Sequence, residues 1–277
     1  MKNSLHVIDY WNRIAEKWRF IGSPLRPCPE DLREMQKGVR GWIAAHPGVP
    51  PRCLILGVTP EFVKMDWPAG TRMTAVDGSP IMIQKVWPGY PGPGQGAICA
   101  NWHNLRLPEA SVDIVLGDGC FTVITLPRGR ELLRSVTRVL SHEGILVARF
   151  FVRPERTERP GAVMADLLAG RIGSFDAFKW RLVMAHYDKE KGGVHLQQVW
   201  DFWHNTGLDA GSLAKRLDWL PESVATIYLY QGIDDYYSFP TLAQLRSVLE
   251  EECAVITCYI PSYELGERCP IYILRQK

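Results

Sequence analysis

The chain has 277 residues, 46% hydrophobic and 22% charged, with a net charge of +2. That length suits one large α/β domain or a domain carrying a sizeable insertion. The near-neutral balance gives no nucleic-acid footprint or polybasic membrane surface. No apolar run reaches the roughly 18 residues of a membrane-spanning helix. The opening MKNSLHVIDYWNRIAEKW reads as helical rather than as a signal peptide, so a cytoplasmic protein is expected. Seven cysteines without a CxxC pair, and seven dispersed histidines, argue against a disulfide framework or a protein-held metal.

In chain order, Val7, Ile8, Trp11, Ile14, Ala15 and Trp18 mark one apolar helical face. A Pro-rich loop containing Arg26 leads to a second helix starting near Pro29-Glu30-Asp31. Arg26 is either a surface ion-pair partner or a clamp on a ligand carboxylate. Cys53–Leu56 is a short strand that stops at Gly57, and Thr59-Pro60-Glu61 reads as a helix start with Thr59 as N-cap and Pro68 and Gly70 closing the helix. Met73–Val76 is a second strand ending in Asp77-Gly78, and Pro80 opens another short helix. The Gly/Pro loop Trp87–Gly94 precedes a third strand, Gly96–Ala100, that ends at Asn101-Trp102. A fourth strand begins at Val112 and runs out at Gly117-Asp118-Gly119; a helix over Gly129–Leu140 and a fifth strand over Ile145–Val152 follow. Strands alternating with helices predict a doubly wound parallel sheet.

The rhythm breaks over 155–240, where Ala162–Leu168, Phe175–Tyr187 and Val194–Asn205 read as helices and Val224–Tyr230 leans to helix. Regularity returns with a helix at Thr241–Glu251 and two consecutive strands, Ala254–Ile260 and Ile271–Leu274, an antiparallel pair. Six of the ten tryptophans, Trp11, Trp18, Trp180, Trp200, Trp203 and Trp219, fall in groups and serve either as core or as the walls of an aromatic pocket.

A pyrophosphate-binding turn needs G-x-G-x-x-G, so that backbone can approach the phosphates. Here Thr59 and Phe62 fall where the second and third glycines belong, and Glu61 adds negative charge at the helix start. Both features weigh against a nicotinamide or flavin dinucleotide. A cationic ligand without phosphate, such as S-adenosylmethionine, suits the turn better. Asp77, 20 positions after Gly57, can accept both ribose hydroxyls, or it can cap the helix beginning at Pro80. Asn101-Trp102 is placed to meet the adenine, and Asp118 lies at a strand tip where the reacting methyl would be.

Several segments carry a resemblance. CLILGVTPEF sits at a glycine-rich first motif, and MTAVDGSPIMI at a second strand ending in a ribose-binding acid. ANWHNLRLPEASVDIVLGDGCF and RELLRSVTRVLSHEGILVARFF follow in the expected order. In these the chain resembles the class I S-adenosylmethionine-dependent methyltransferases, of the type 11/12 kind, with Ile55 at the first-motif acid position and Asn101 where Asp is usual. The resemblance implies a Rossmann-like, seven-stranded, mostly parallel sheet with an antiparallel last strand. Together with the pattern of helices and strands, the resemblance divides the chain into an N-terminal helical cap (1–50), a cofactor-binding core (51–155), a helical insertion over the substrate (156–240) and a C-terminal completion of the sheet (241–277). It implies S-adenosylmethionine as cofactor, held by Arg26, Gly57, Thr59, Asp77, Gly78, Asn101, Trp102 and Asp118. The expected acceptor is a small aromatic or apolar molecule, with Asp118, Tyr187 and His204 as candidate bases by residue type. The competing expectation is a methyltransferase-like domain that has lost catalysis and senses a ligand or partner.

Overall fold

The computed structural model describes residues 3–93 and 96–277, with the side chains of residues 3–9 excluded. Val7 and Ile8 of the predicted apolar helix face, and Gly94 of the Gly/Pro loop, therefore lie outside the description.

Seven strands form one sheet: β1 (Arg52–Leu56), β2 (Arg72–Asp77), β3 (Gly96–Cys99), β4 (Val112–Asp118), β5 (Leu140–Arg149), β8 (Ala254–Tyr259) and β9 (Ile271–Arg275). Their order is β3-β2-β1-β4-β5-β9-β8. Neighbours from β3 to β5 pair in parallel, and β9 pairs antiparallel with both β5 and β8. The expected antiparallel last strand is present. A separate two-stranded ladder joins β6 (Val194–His195) to β7 (Tyr236–Tyr237).

Both faces of the sheet are buried, which is why β1 and β4 read as nearly unbroken apolar runs rather than alternating ones. On one face Cys53, Ile55, Met73, Ile114 and Val147 pack in a single cluster with side chains of α1 (Asn3–Lys17), α2 (Pro29–Ala45) and the insertion. On the other, Leu54, Leu56, Val76 and Val115 meet Leu132, Leu133 and Val136 of α5 (Leu126–Val139) and Leu245 and Val248 of α11 (Leu242–Glu252). Gly38 lets α2 lie close on the sheet: a β-carbon there would sit 2.8 Å from Ile273 Cδ1 and 3.1 Å from Val147 Cγ2. α11 begins with a capping box, Thr241 and Gln244 each accepting from the other's backbone N–H.

Two local expectations are corrected. The helix after Gly57, α3 (Pro60–Val63), is a single turn, and the Thr59 side chain makes no capping bond. It is finished before Pro68: Trp67 Nε1 donates to the Phe62 carbonyl at 2.9 Å, so the chain turns back at once. Val194 does not open a helix, because Val194–His195 are drawn into the ladder with Tyr236–Tyr237; α8 starts at Leu196 and ends at Asn205.

The rest of the insertion is helical: α6 (Pro160–Leu168), α7 (Phe175–Ala185), α9 (Ala210–Leu217), the short α10 (Pro221–Val224) and a 3-10 segment over Ala225–Tyr230. The grouped tryptophans divide between core and rim. Trp180, Trp200 and Trp203 are buried, whereas Trp11, Trp18 and Trp219 are partly covered. Among the described residues, no helix is long and apolar enough to cross a membrane.

Candidate active site

Register brings three candidate residues together. Leu56 pairs with Val76 of β2 on one side and with Gly117 of β4 on the other. One step further along the chain, Gly57 therefore lies between Asp77 and Asp118, at the carboxyl ends of three parallel strands where α/β sheets receive ligands. Gly57 has φ +94°, in the region that favours glycine. A β-carbon at Gly57 would lie 3.8 Å from Asp77 Oδ2 and 3.9 Å from Trp102 Cζ2. Bare backbone thus faces a carboxylate oxygen across a narrow gap. Gly57→Ala is expected to cost about 1–2 kcal/mol of stability from the left-handed backbone and to fill this gap. Thermal melts and ligand titrations check both effects, and a variant with unchanged affinity would remove Gly57 from the site.

Asp77 divides its two oxygens. Oδ1 accepts from Ser79 N–H at 2.7 Å, which holds the turn. The cap of α4 (Pro80–Lys85) is Ser79, whose Oγ accepts from Met82 N–H at 3.0 Å. Asp77 is therefore not the cap itself, and Oδ2 is left facing Gly57. Burial pushes the Asp77 carboxyl up to about 6, against the pull of the Ser79 N–H. Gly78 beside it is exposed, and Thr59 is buried.

Trp102 lies on the near side of the same gap. Its indole N–H donates to the Val76 carbonyl at 2.6 Å, and that carbonyl also accepts from Gly57 N–H at 2.8 Å. Asn101 is exposed and uses Oδ1 to accept from His103 N–H at 2.9 Å, so it caps the 3-10 turn Trp102–Asn104. A cavity of about 410 Å³ opens beside Asn101, lined also by Val76, Ile98, Asn104 and Leu105.

Asp118 is held from below. Arg149, fully buried at the tip of β5, donates from Nε to Asp118 Oδ1 at 2.6 Å and from Nη1 to Asp31 Oδ2 at 2.9 Å. The Tyr263 hydroxyl bridges this pair, donating to Asp31 Oδ1 at 2.9 Å and accepting from Arg149 Nη1 at 3.0 Å. Burial pushes the Asp118 carboxyl up, and Arg149 pulls back part of that rise.

Arg26 meets a carboxylate of the protein itself. Its Nε donates to Glu61 Oε1 at 3.0 Å, and its Nη1 donates to the Trp18 and Ile21 carbonyls. The guanidinium also lies over the Trp18 ring at 4.8 Å. Arg26 is thus engaged by Glu61 in a largely buried ion pair, and a ligand carboxylate would share the guanidinium with it. Among these groups four carboxylates (Asp31, Glu61, Asp77, Asp118) face two guanidiniums (Arg26, Arg149). The excess of negative charge favours a cationic ligand.

Asp31, Arg149, Tyr263 and the Glu61 partnership were not found by sequence reasoning. One signal was available: Arg149 interrupts the apolar run ILVARFF, and a charge inside a buried strand needs a partner. The remaining candidates lie elsewhere. Tyr187 is half-buried beneath Arg153, its ring centroid 4.2 Å from the guanidinium carbon. His204 is exposed on α8 and stacks on Trp200 at 5.5 Å. Among the described residues, no group of three His, Cys, Asp or Glu side chains is arranged to hold a metal ion.

The methyltransferase-domain family profile matches residues 57–148, the segment that carries Gly57, Asp77, Asn101, Trp102 and Asp118. No curated protein matches the chain in sequence. Among solved structures, the chain resembles the 1,6-didemethyltoxoflavin-N1-methyltransferase of Burkholderia thailandensis, solved with bound 1,6-didemethyltoxoflavin and S-adenosylhomocysteine. The identity is 13%, coverage is 99% of this chain and 89% of that one, and the TM-score is 0.54. The CcbJ methyltransferase of Streptomyces caelestis is 12% identical over 96% and 97% of the two chains, with a TM-score of 0.53. The PH0226 protein of Pyrococcus horikoshii OT3 is 12% identical over 88% and 91%, with a TM-score of 0.50. Identities this low speak for fold alone. With the strand order and the family match, they lead to one conclusion: the chain has the class I S-adenosylmethionine-dependent methyltransferase fold.

Proposed function

We propose that the protein binds S-adenosylmethionine across Gly57 and transfers its methyl group to a small-molecule acceptor. The observation that carries this reading is the pair of carboxylates, Asp77 and Asp118, flanking a glycine at the carboxyl ends of β1, β2 and β4. The bare backbone of Gly57 allows close approach, Asp77 Oδ2 accepts from a ribose diol, and the cavity beside Asn101 receives a base. Asp118, anchored through Oδ1 by Arg149, presents negative charge to the cationic end. The bound cofactor supplies an electrophilic methyl carbon at a sulfonium.

Positive charge disperses as such a methyl moves, so alignment and exclusion of water are the main contributions required of the protein. Trp180 of the aromatic insertion, in edge contact at 4.8 Å with Phe151 of the core, supports both. Asp118 is committed to Arg149, and His204 faces solvent on α8. These placements favour an acceptor whose attacking atom needs no strong base.

A second reading is favoured by Trp102, whose ring edge closes on Gly57 while its N–H is tied to Val76. A ligand sensor with no turnover would retain such a contact. Incubation with methyl-labelled S-adenosylmethionine and a metabolite extract separates the two. Label entering an extractable small molecule supports transfer, whereas tight cofactor binding without any transfer supports the sensor.

A further inference from the structure

Beyond the tip of β5 the chain stays extended: Phe150 N–H donates to the Pro270 carbonyl and Val152 N–H to the Arg268 carbonyl. Alternation then puts Arg149, Phe151 and Arg153 on one face. Arg149 has its two carboxylates, whereas Arg153 has none. Its residue is 7% exposed, yet no Asp or Glu oxygen lies within ion-pairing distance among the described residues. Its polar contact is Nη1 to the Pro154 carbonyl at 3.3 Å, and its Nε is buried without a partner. The nearest acid in sequence on the buried side, Glu158, is already committed to Arg181 and, at 2.6 Å, to Arg268. The Thr157 hydroxyl, on the same connecting segment, is also buried and unpartnered.

A buried cation left without a counter-charge is expensive, and an arriving anion would relieve that cost. The planar fork of arginine suits a two-oxygen anion in particular. The Tyr187 ring lies under the guanidinium, its centroid 4.2 Å from the guanidinium carbon. Two residues back, Phe151 packs against Gly119, where a β-carbon would fall 2.4 Å from the Phe151 ring. Arg153 therefore lies on the wall that rises from the Asp118 strand tip, roughly 7 Å beyond Phe151 and about 13 Å along extended chain from Arg149, the register partner of Asp118.

We propose that Arg153, over Tyr187, is the docking point for an oxyanion, a carboxylate or a phosphate, carried by the methyl acceptor. The word acceptor rests on the methyltransferase reading; the anion site does not. The acceptor is then an anionic molecule with an apolar body, not a purely apolar one.

The test uses benzoate, its uncharged isostere benzamide, and inorganic phosphate as probes, followed by ligand-observed NMR on the full chain. Wild-type protein is expected to bind benzoate or phosphate at millimolar concentration, and whichever anion binds tells carboxylate from phosphate. Arg153→Gln is expected to weaken that binding at least tenfold, with Arg153→Lys retaining part of it and benzamide indifferent to both. Because Arg153 has no ion pair to lose, the Gln variant should melt within a few degrees of wild type. Anion binding that is absent in wild type, or unchanged in Arg153→Gln, overturns the proposal. Titration with S-adenosylhomocysteine is read separately: anion binding without cofactor binding keeps the site and removes the acceptor.

Discussion

Arg149→Met is expected to lower stability by roughly 3–5 kcal/mol, the usual cost of removing one partner from a buried ionic network. The variant leaves Asp31 and Asp118 as two buried carboxylates with no cation between them. In a chain of this size the loss corresponds to a fall in Tm of roughly 10 °C or more, read by calorimetry or circular dichroism. Tyr263→Phe removes only the hydroxyl that bridges Asp31 and Arg149, and should cost about 1 kcal/mol. The contrast between the two variants separates charge compensation from simple packing. An Arg149→Met protein that melts with wild type would show that the network contributes little.

Asp77→Asn is expected to move affinity and stability in opposite directions. In the folded chain burial holds the Asp77 carboxyl near 6, above its ordinary value of 3.8. The folded state therefore holds the proton more tightly than the unfolded one. The stabilising contribution is fully present below about pH 4 and is lost as pH rises through about 6. Asparagine carries no charge to bury and can still accept from Ser79 N–H, so the variant should melt higher than wild type at pH 8. Ribose hydroxyls, however, need the ionised carboxylate. Cofactor affinity in wild type is expected to fall about tenfold per unit below pH 6 and to be flat above pH 7. In Asp77→Asn it should be weaker by about 1–3 kcal/mol at pH 8 and independent of pH across this range. Parallel pH profiles of melting and binding check both signs.

The strand tips were legible because each ends on a residue that a buried strand cannot continue: Gly57, Asp77 and Asp118 each stop an apolar run. Thr59-Pro60-Glu61 announced a helix start, but a start motif says nothing of length, and the Trp67–Phe62 bond that closes the turn is made by the chain that follows. The partners of the site residues were hidden for a different reason. Arg149 reaches Asp31 across 118 residues and Tyr263 across 114, and neither separation leaves a local pattern. Arg26 could be narrowed to two roles from its loop, but its partner Glu61, 35 residues away, left no local pattern. The two-residue ladder of Val194–His195 with Tyr236–Tyr237 was missed because Val194 fits either element, and its partner strand lies at the far end of the insertion.

The central claim is that a nucleoside cofactor lies over Gly57 against Asp77. Calorimetric titration of wild type and Asp77→Asn with S-adenosylhomocysteine at pH 8 tests it most directly. One site per chain is expected in wild type, with affinity reduced roughly 5- to 150-fold in the variant. Absence of binding to wild type at millimolar ligand, or equal affinity in a folded Asp77→Asn protein, would contradict it.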